Sequence, residues 1–207
     1  LTFAIIGGGP TGVEMAGALA EIARRALRSE YDAIDPASAR ILLIEAGPSI
    51  LSAFPPGLRA SAKHALERLG VEVREGAAVT HVADGVVAIG DEQIEAHTIL
   101  WAAGVAAAAV GRDLGPALDN AGRVIVAPDL SAPGHHHVFV AGDLASFSHQ
   151  TGKPLPGVAQ VAKQQGTHAA RNIARCIRGE ATRPFRYFDP GNMATIGRAN
   201  AIADFYD

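Results

Sequence analysis

Residues 3–17, FAIIGGGPTGVEMAG, constrain this chain more than any other stretch. An apolar run, Leu1 to Ile6, reads as a short buried strand that glycines stop. A helical pattern starts immediately afterwards, so the chain must turn sharply from strand into helix, which is the first half of a βαβ unit. Gly7, Gly9 and Gly12 stand at the spacing G-x-G-x-x-G. The first glycine can take the tight turn, the second lets an anion approach the backbone, and the third lets the helix pack close to the strand. With Gly8, Pro10 and Thr11 completing the loop, the helix N-terminus offers free N–H groups and the positive end of its dipole. Such a loop is a seat for a dinucleotide pyrophosphate, and its place between strand and helix makes the motif strong.

The same alternation continues downstream. Thr11 to about Arg28 reads as a helix with Ala16, Leu19, Ala20, Ala23 and Leu27 on its apolar stripe and Glu21, Arg24, Arg25 and Arg28 toward water. A second buried strand covers Arg40 to Glu45, and residues 56–69 form an amphipathic helix ended by Gly70. Short strands are expected at 71–74, 77–82, 85–89 and 93–95, followed by the apolar TILWAAG. This order predicts an α/β fold, a Rossmann-like doubly wound parallel sheet with a small antiparallel insertion.

Near residues 105–112 the alanine-rich GVAAAAVGRDLG reads as a linker. Beyond it RVIV, VFVAGD and NMATIGRANAIA look like strands, and one helix runs from about Val158 to Arg178. That is too little to close a sheet, so the expected division is a complete domain over 1–108 and an incomplete one over 109–207.

Composition excludes several classes. A net charge of −3 and no polybasic run give no footprint for nucleic acid. The single cysteine, Cys176, excludes an internal disulfide or a CxxC pair within this chain and fits a reducing compartment. The longest apolar run, TILWAAGVAAAAVG, is shorter than the roughly 20 residues needed to span a bilayer. His135, His136 and His137 read as a polar loop, since consecutive side chains diverge and no second ligand cluster accompanies them. Both ends of the chain read as cut, as in a fragment of a longer protein.

Four further positions bear on the dinucleotide. Glu45 ends the second strand, where a carboxylate takes the ribose hydroxyls, and no lysine or arginine follows until Arg59. NAD is therefore expected over NADP. Glu14, read as lying on the first helical turn, either complements the dipole or faces the nicotinamide carboxamide. Ala103 and Gly104 end the last strand, where backbone can approach the ligand, and Trp101 beside them reads as core.

The motifs GGGPTGVEMAG, LLIEAGPSIL, LWAAGV, VFVAGDLA, PGVAQVAKQQG and MATIGR, in this order, resemble the type II NADH:quinone oxidoreductases. These are single-subunit, non-proton-pumping flavoenzymes. The resemblance implies NAD(H) and FAD as cofactors, and a hydride passing from NADH to flavin and electrons on to quinone. It places Gly142 and Asp143 against the ribityl chain of FAD, and Ala159, Gln160 and Gln164, an AQxxxQ motif, beside flavin and quinone. It assigns nothing to Lys163 or Gln165. It also implies a peripheral place on the inner, cytoplasmic face of the cell membrane, held by a C-terminal amphipathic region beyond this chain, and an FAD fingerprint before it. On this reading the chain alone binds NADH, retains no FAD, and covers its unpaired strands by forming a homodimer. The alternatives are a ferredoxin, rubredoxin or disulfide reductase of the same superfamily, or a non-catalytic NAD-sensing module.

Overall fold

The computed structural model describes all residues except 28, 29, 32, 33, 114, 116, 206 and 207. It forms two compact units, Leu1–Gly104 with Pro190–Asp207, and Val105–Asp189.

The first unit is built on β1 (Thr2–Ile6), α1 (Pro10–Glu21), β2 (Arg40–Ile44), α2 (Pro56–Arg68) and β3 (Val71–Arg74). A three-stranded antiparallel insertion follows, β4 (His81–Ala83), β5 (Val86–Ile89) and β6 (Glu92–Glu95), and then β7 (Thr98–Trp101). The main sheet runs β3-β2-β1-β7, parallel throughout. Central strands of such a sheet are covered on both faces, which is why they are continuous apolar runs rather than alternating ones. Ile5, Ile41 and Leu43 point to a core shared with Val13, Ala16 and Ala20 of α1 and Ala62 and Leu66 of α2. Ala4, Ile6, Leu42 and Ile44 point the other way, against Val87 and Ile94 of the insertion. Residues 77–80, expected to be strand, lie outside β4.

Two expectations for α1 change. The helix passes into a π-helical turn, Ile22–Ala26, and Arg28 falls outside the described residues. Glu21, read as facing water, is buried: its carboxylate accepts from the Arg198 N–H at 3.0 Å and lies 3.7 Å from Arg25.

The second unit contains α3 (Val110–Asp113), β8 (Val124–Ile125), β9 (Ser131–Ala132), β10 (His135–Phe139), β11 (Ala145–Ser146) and α4 (Ala159–Ile177). The three histidines therefore open a strand, β10, and do not lie in a loop. Among the described residues the ladders of this unit are only two strands wide. Its core, including Val124, Leu130, Phe147, Val161 and Phe185, is closed by an extended segment, residues 182–188, that joins no sheet among the described residues and makes one backbone bond, from the Phe185 N–H to the Pro128 C=O. Side-chain amides take that role. Asn172 holds both the N–H and the C=O of Arg183, Gln150 those of Tyr187, and Gln164 those of Phe188.

Asp129 anchors the start of this segment, accepting from the Ser131 N–H and hydroxyl and from the Thr182 hydroxyl. Burial pushes its carboxyl up, but the bonds from Thr182 and Ser131 outweigh this and hold it below the usual aspartate value of 3.8. A carboxyl depressed in the folded state contributes its full stability above its ordinary value and loses it as pH falls through the folded one. Asp129→Asn is expected to cost about 1–2 kcal/mol in urea unfolding at pH 7. The gap to the parent should close below pH 3.8, and a gap that persists there would contradict the assignment.

The chain then returns to the first unit as an antiparallel hairpin, β12 (Asn192–Ile196) and β13 (Asn200–Asp204). Sequence reasoning expected MATIG to lack sheet partners and to belong with the second segment. It pairs within its own hairpin instead, and Ala194, Ile196 and Ile202 enter the core formed by α1 and α2. No helix among the described residues is long and apolar enough to cross a membrane.

Candidate functional site

The glycine loop is gripped from below and left open above. Gly7 takes φ +111°, and a Cβ there would lie 2.6 Å from the carbonyl carbon of Ala102, so the loop rests on the chain leaving β7. A Cβ on Gly12 would lie within van der Waals contact of the Gly7 carbonyl oxygen, far too close to be relieved by a rotamer. Gly8 is held on both sides: its N–H donates to Glu45 Oε2 at 2.6 Å, and its C=O accepts from the Leu51 N–H at 2.7 Å. Leu51 reaches that position with φ +51°, a strained backbone for a leucine, and is buried.

Above Gly9 there is space. A Cβ added to Gly9 would meet nothing within 4 Å, and α1 starts at Pro10 with no side chain capping its first turn. The Thr11 and Gly12 N–H groups, in the first turn, thus have no intrahelical acceptor. A cavity of about 360 Å³ lies here, lined by Gly7, Gly9, Glu45, Ser52, Ala103 and Gly104 among others. Of the residues that sequence reasoning assigned to the dinucleotide, Gly7, Gly9, Glu45, Ala103 and Gly104 line this one cavity, and Glu14 does not.

Glu45 directly follows β2. Its second oxygen accepts from the Gly47 N–H at 2.6 Å. A carboxylate has about four lone-pair sites, so two backbone bonds fix its orientation and leave two sites for a pair of vicinal hydroxyls. One part of the sequence argument needs correction. Arg59 does return to this loop, donating from Nη1 to Ser49 Oγ at 2.7 Å, and Lys63 pairs with Glu75, which accepts from the Ile50 N–H. Basic groups separated in sequence from Glu45 thus converge on the turn beyond it.

Glu14 lies past the first turn of α1, so it does not complement the dipole. It is exposed, accepts from the Thr195 N–H at 3.3 Å, and lines a separate cavity of about 570 Å³ with Glu21, Arg25 and Arg198. Trp101, read as core, is 63% exposed at the end of the edge strand β7.

In the second unit a tight turn, Gly142–Leu144, precedes β11. Gly142 has φ +70°, and a Cβ there would lie 3.2 Å from Ala162 Cβ, so the turn sits against the first turns of α4. Asp143 is exposed, and among the described residues no hydrogen bond or ion pair engages its carboxylate. Ala159 begins α4, whose N-terminus also lacks a side-chain cap. Gln160 and Gln164 share a face, as their spacing of four predicts, and line a cavity of about 280 Å³ with Lys163, Arg171 and Arg186. They differ in freedom. Gln160 is exposed, whereas both ends of the Gln164 amide are spent on Phe188. Gln164→Ala is expected to cost about 1 kcal/mol of stability, which chemical denaturation would measure.

Gln165 is the residue that sequence reasoning passed over. It is fully buried, and its Oε1 accepts from the Gly142 N–H at 2.7 Å. Its Nε2 is buried without a hydrogen-bond partner among the described residues. The signal was a half-buried turn N–H in need of an acceptor, which no local pattern reveals.

Residues 1–166 match the pyridine nucleotide-disulphide oxidoreductase family. Among curated proteins the chain is 42% identical over 215 residues to the type II NADH:quinone oxidoreductase Ndh of Mycobacterium tuberculosis, with 98% of this chain and 45% of that protein covered. It is 33% identical to the type II NADH:quinone oxidoreductase of Staphylococcus saprophyticus, covering 98% of this chain and 51% of that protein. The chain spans about half the length of the curated relatives it matches. Among solved structures, NDH2 from Plasmodium falciparum in complex with NADH aligns at a TM-score of 0.83 and 17% identity, over 99% of this chain and 57% of that one. That likeness is one of fold.

Proposed function

Because the chain belongs to the pyridine nucleotide-disulphide oxidoreductase family, we propose that it is the NADH-binding part, with a portion of the flavin-binding part, of a type II NADH:quinone oxidoreductase. The observation that carries this reading is the open space over Gly9 beside a Glu45 carboxylate with lone pairs to spare. On it, residues 1–108 hold NADH and the residues after 109 return to the flavin region, the closing hairpin standing with the first part.

The chain's own residues divide the work. The α1 N-terminus and the loop Gly7–Gly12 neutralise the NADH pyrophosphate, Glu45 orients the adenosine ribose, and Ala103 and Gly104 let the dinucleotide lie close to the backbone. Glu14 is assigned to the nicotinamide carboxamide, with the Thr195 N–H holding its carboxylate.

The donor set around Gly142 fits FAD: a free carboxylate at Asp143 for sugar-alcohol hydroxyls, and the uncapped α4 N-terminus for an electron-rich ring edge. Bound there, FAD would supply the chemistry of taking a hydride and giving electrons to a quinone, while these residues hold and orient it. Gln160, with an amide free to donate, is assigned to the quinone side. Gln164 serves there chiefly by holding Phe188. Attachment to the inner membrane face and a homodimer complete the proposal, the first supported by the quinone substrate that the relatives' names carry.

Visible spectra of the full-length protein test the reading. Bound flavin, bleached by NADH and restored by a short-chain quinone, is expected. In stopped flow, Gln160→Ala should slow the quinone half-reaction about 10-fold or more and leave flavin reduction unchanged. A colourless full-length protein that still binds NADH would replace the enzyme with a nucleotide sensor.

A further inference from the structure

Glutamine is seldom fully buried, and when buried it normally satisfies both ends of its amide. Gln165 on α4 does neither of the ordinary things. It is buried completely, yet only its oxygen is used, on the N–H of Gly142. An acceptor must face that N–H, which settles which end of the amide points at the turn. The opposite end, Nε2, lies buried among groups that accept nothing from it. Leaving a donor dry costs stability, and methionine would fill nearly the same volume without that cost. Packing alone therefore does not account for a glutamine at this position. The turn does. Gly142 is in the left-handed region, Ala162 on α4 leaves little room for a side chain there, and the next residue, Asp143, carries an exposed carboxylate unengaged among the described residues. A backbone N–H pinned at 2.7 Å immediately before Asp143 limits the directions that carboxylate can take.

We infer that Gln165 is a positioning residue for the flavin. It holds the Gly142–Asp143 turn from the protein side, so that the Asp143 carboxylate meets the ribityl hydroxyls already oriented. The inference rests on the proposed FAD site, because it is Asp143, and not Gln165, that touches the cofactor. The effect is preorganisation: without Gln165 the turn is left to find its pose upon binding, and affinity falls although every contact to the cofactor remains available.

The test is a double-mutant cycle in the full-length protein, stripped of flavin and titrated with FAD. Gln165→Met is expected to weaken FAD binding about tenfold, while the melting temperature of the apoprotein changes little, the relief of the buried Nε2 offsetting the Gly142 N–H left without its acceptor. Gln165→Glu keeps an acceptor for the Gly142 N–H and should recover most of that loss. Asp143→Asn should weaken binding by itself, and adding Gln165→Met to it should cost less than about twofold more, because residues acting through one contact are not additive. Three results would overturn the inference: Gln165→Met binding FAD like the parent, the full tenfold loss reappearing in the Asp143→Asn background, or a drop in apoprotein stability that Gln165→Glu does not rescue. A parent protein that takes up no FAD at all would instead overturn the function proposed above, and this inference with it.

Discussion

Alanine in place of Gly9 is expected to leave the fold as stable as the parent, within about 0.5 kcal/mol, and to weaken NADH binding severely. The backbone there is ordinary, with φ −70° at the helix cap, and nothing lies within 4 Å of the added methyl group. The space it fills is the approach of the pyrophosphate to the α1 N–H groups. Pushing a phosphate away from charge-assisted donors should weaken NADH by about two orders of magnitude. Gly12→Ala is expected to behave in the opposite way. Its methyl group would be driven into the Gly7 carbonyl oxygen, a backbone atom that cannot step aside. The helix must lift from the strand at a cost of about 3 kcal/mol or more. Thermal unfolding and calorimetric NADH titration of the two variants separate the roles. A stable, fully binding Gly9→Ala would show that the dinucleotide does not lie over this loop.

That contrast also marks how far the sequence could be read. The four parallel strands and the glycine loop were legible because each is a local statement: apolar runs bounded by glycines, and three glycines at fixed spacing. Glu21 was not, since helical periodicity placed it toward water and the Gly197–Arg198 turn returns from the far end of the chain to cover it. Trp101 was misread because a large aromatic suggests core, while β7 is an edge strand and its last side chain stands in the open. The glutamines show the limit most clearly. In KQQ the spacing correctly put Gln164 with Gln160 on one face, but the demands on those amides come from Phe188 and Gly142, distant backbone groups with no strand partner. Hydrogen-bond obligations of irregular backbone have no period, so no pattern announces them.

Glu45→Gln is expected to weaken NADH binding about tenfold and to narrow the preference for NADH over NADPH by about 1–3 kcal/mol. The carboxylate does two things at once. It accepts from the N–H groups of Gly8 and Gly47, and it offers its remaining lone pairs to the ribose. An amide can keep only one of those backbone bonds, because its nitrogen would face the other donor. Part of the loss therefore falls equally on both nucleotides, through the loosened loop. The rest is selective: removing the negative charge removes the repulsion of a 2′-phosphate. Arg59, held on Ser49 in the turn beyond Glu45, makes the selective part testable. Arg59→Ala alone should leave NADH affinity within about twofold, as its guanidinium reaches the serine and not the cavity lining. In the Glu45→Gln background it should weaken NADPH several-fold more than NADH, since the guanidinium on Ser49 can answer the extra phosphate once the repelling carboxylate is gone. Calorimetric titration of both nucleotides against the parent, the two single variants and the double variant measures each step. Equal affinities for NADH and NADPH in the parent would remove Glu45 from its assigned role.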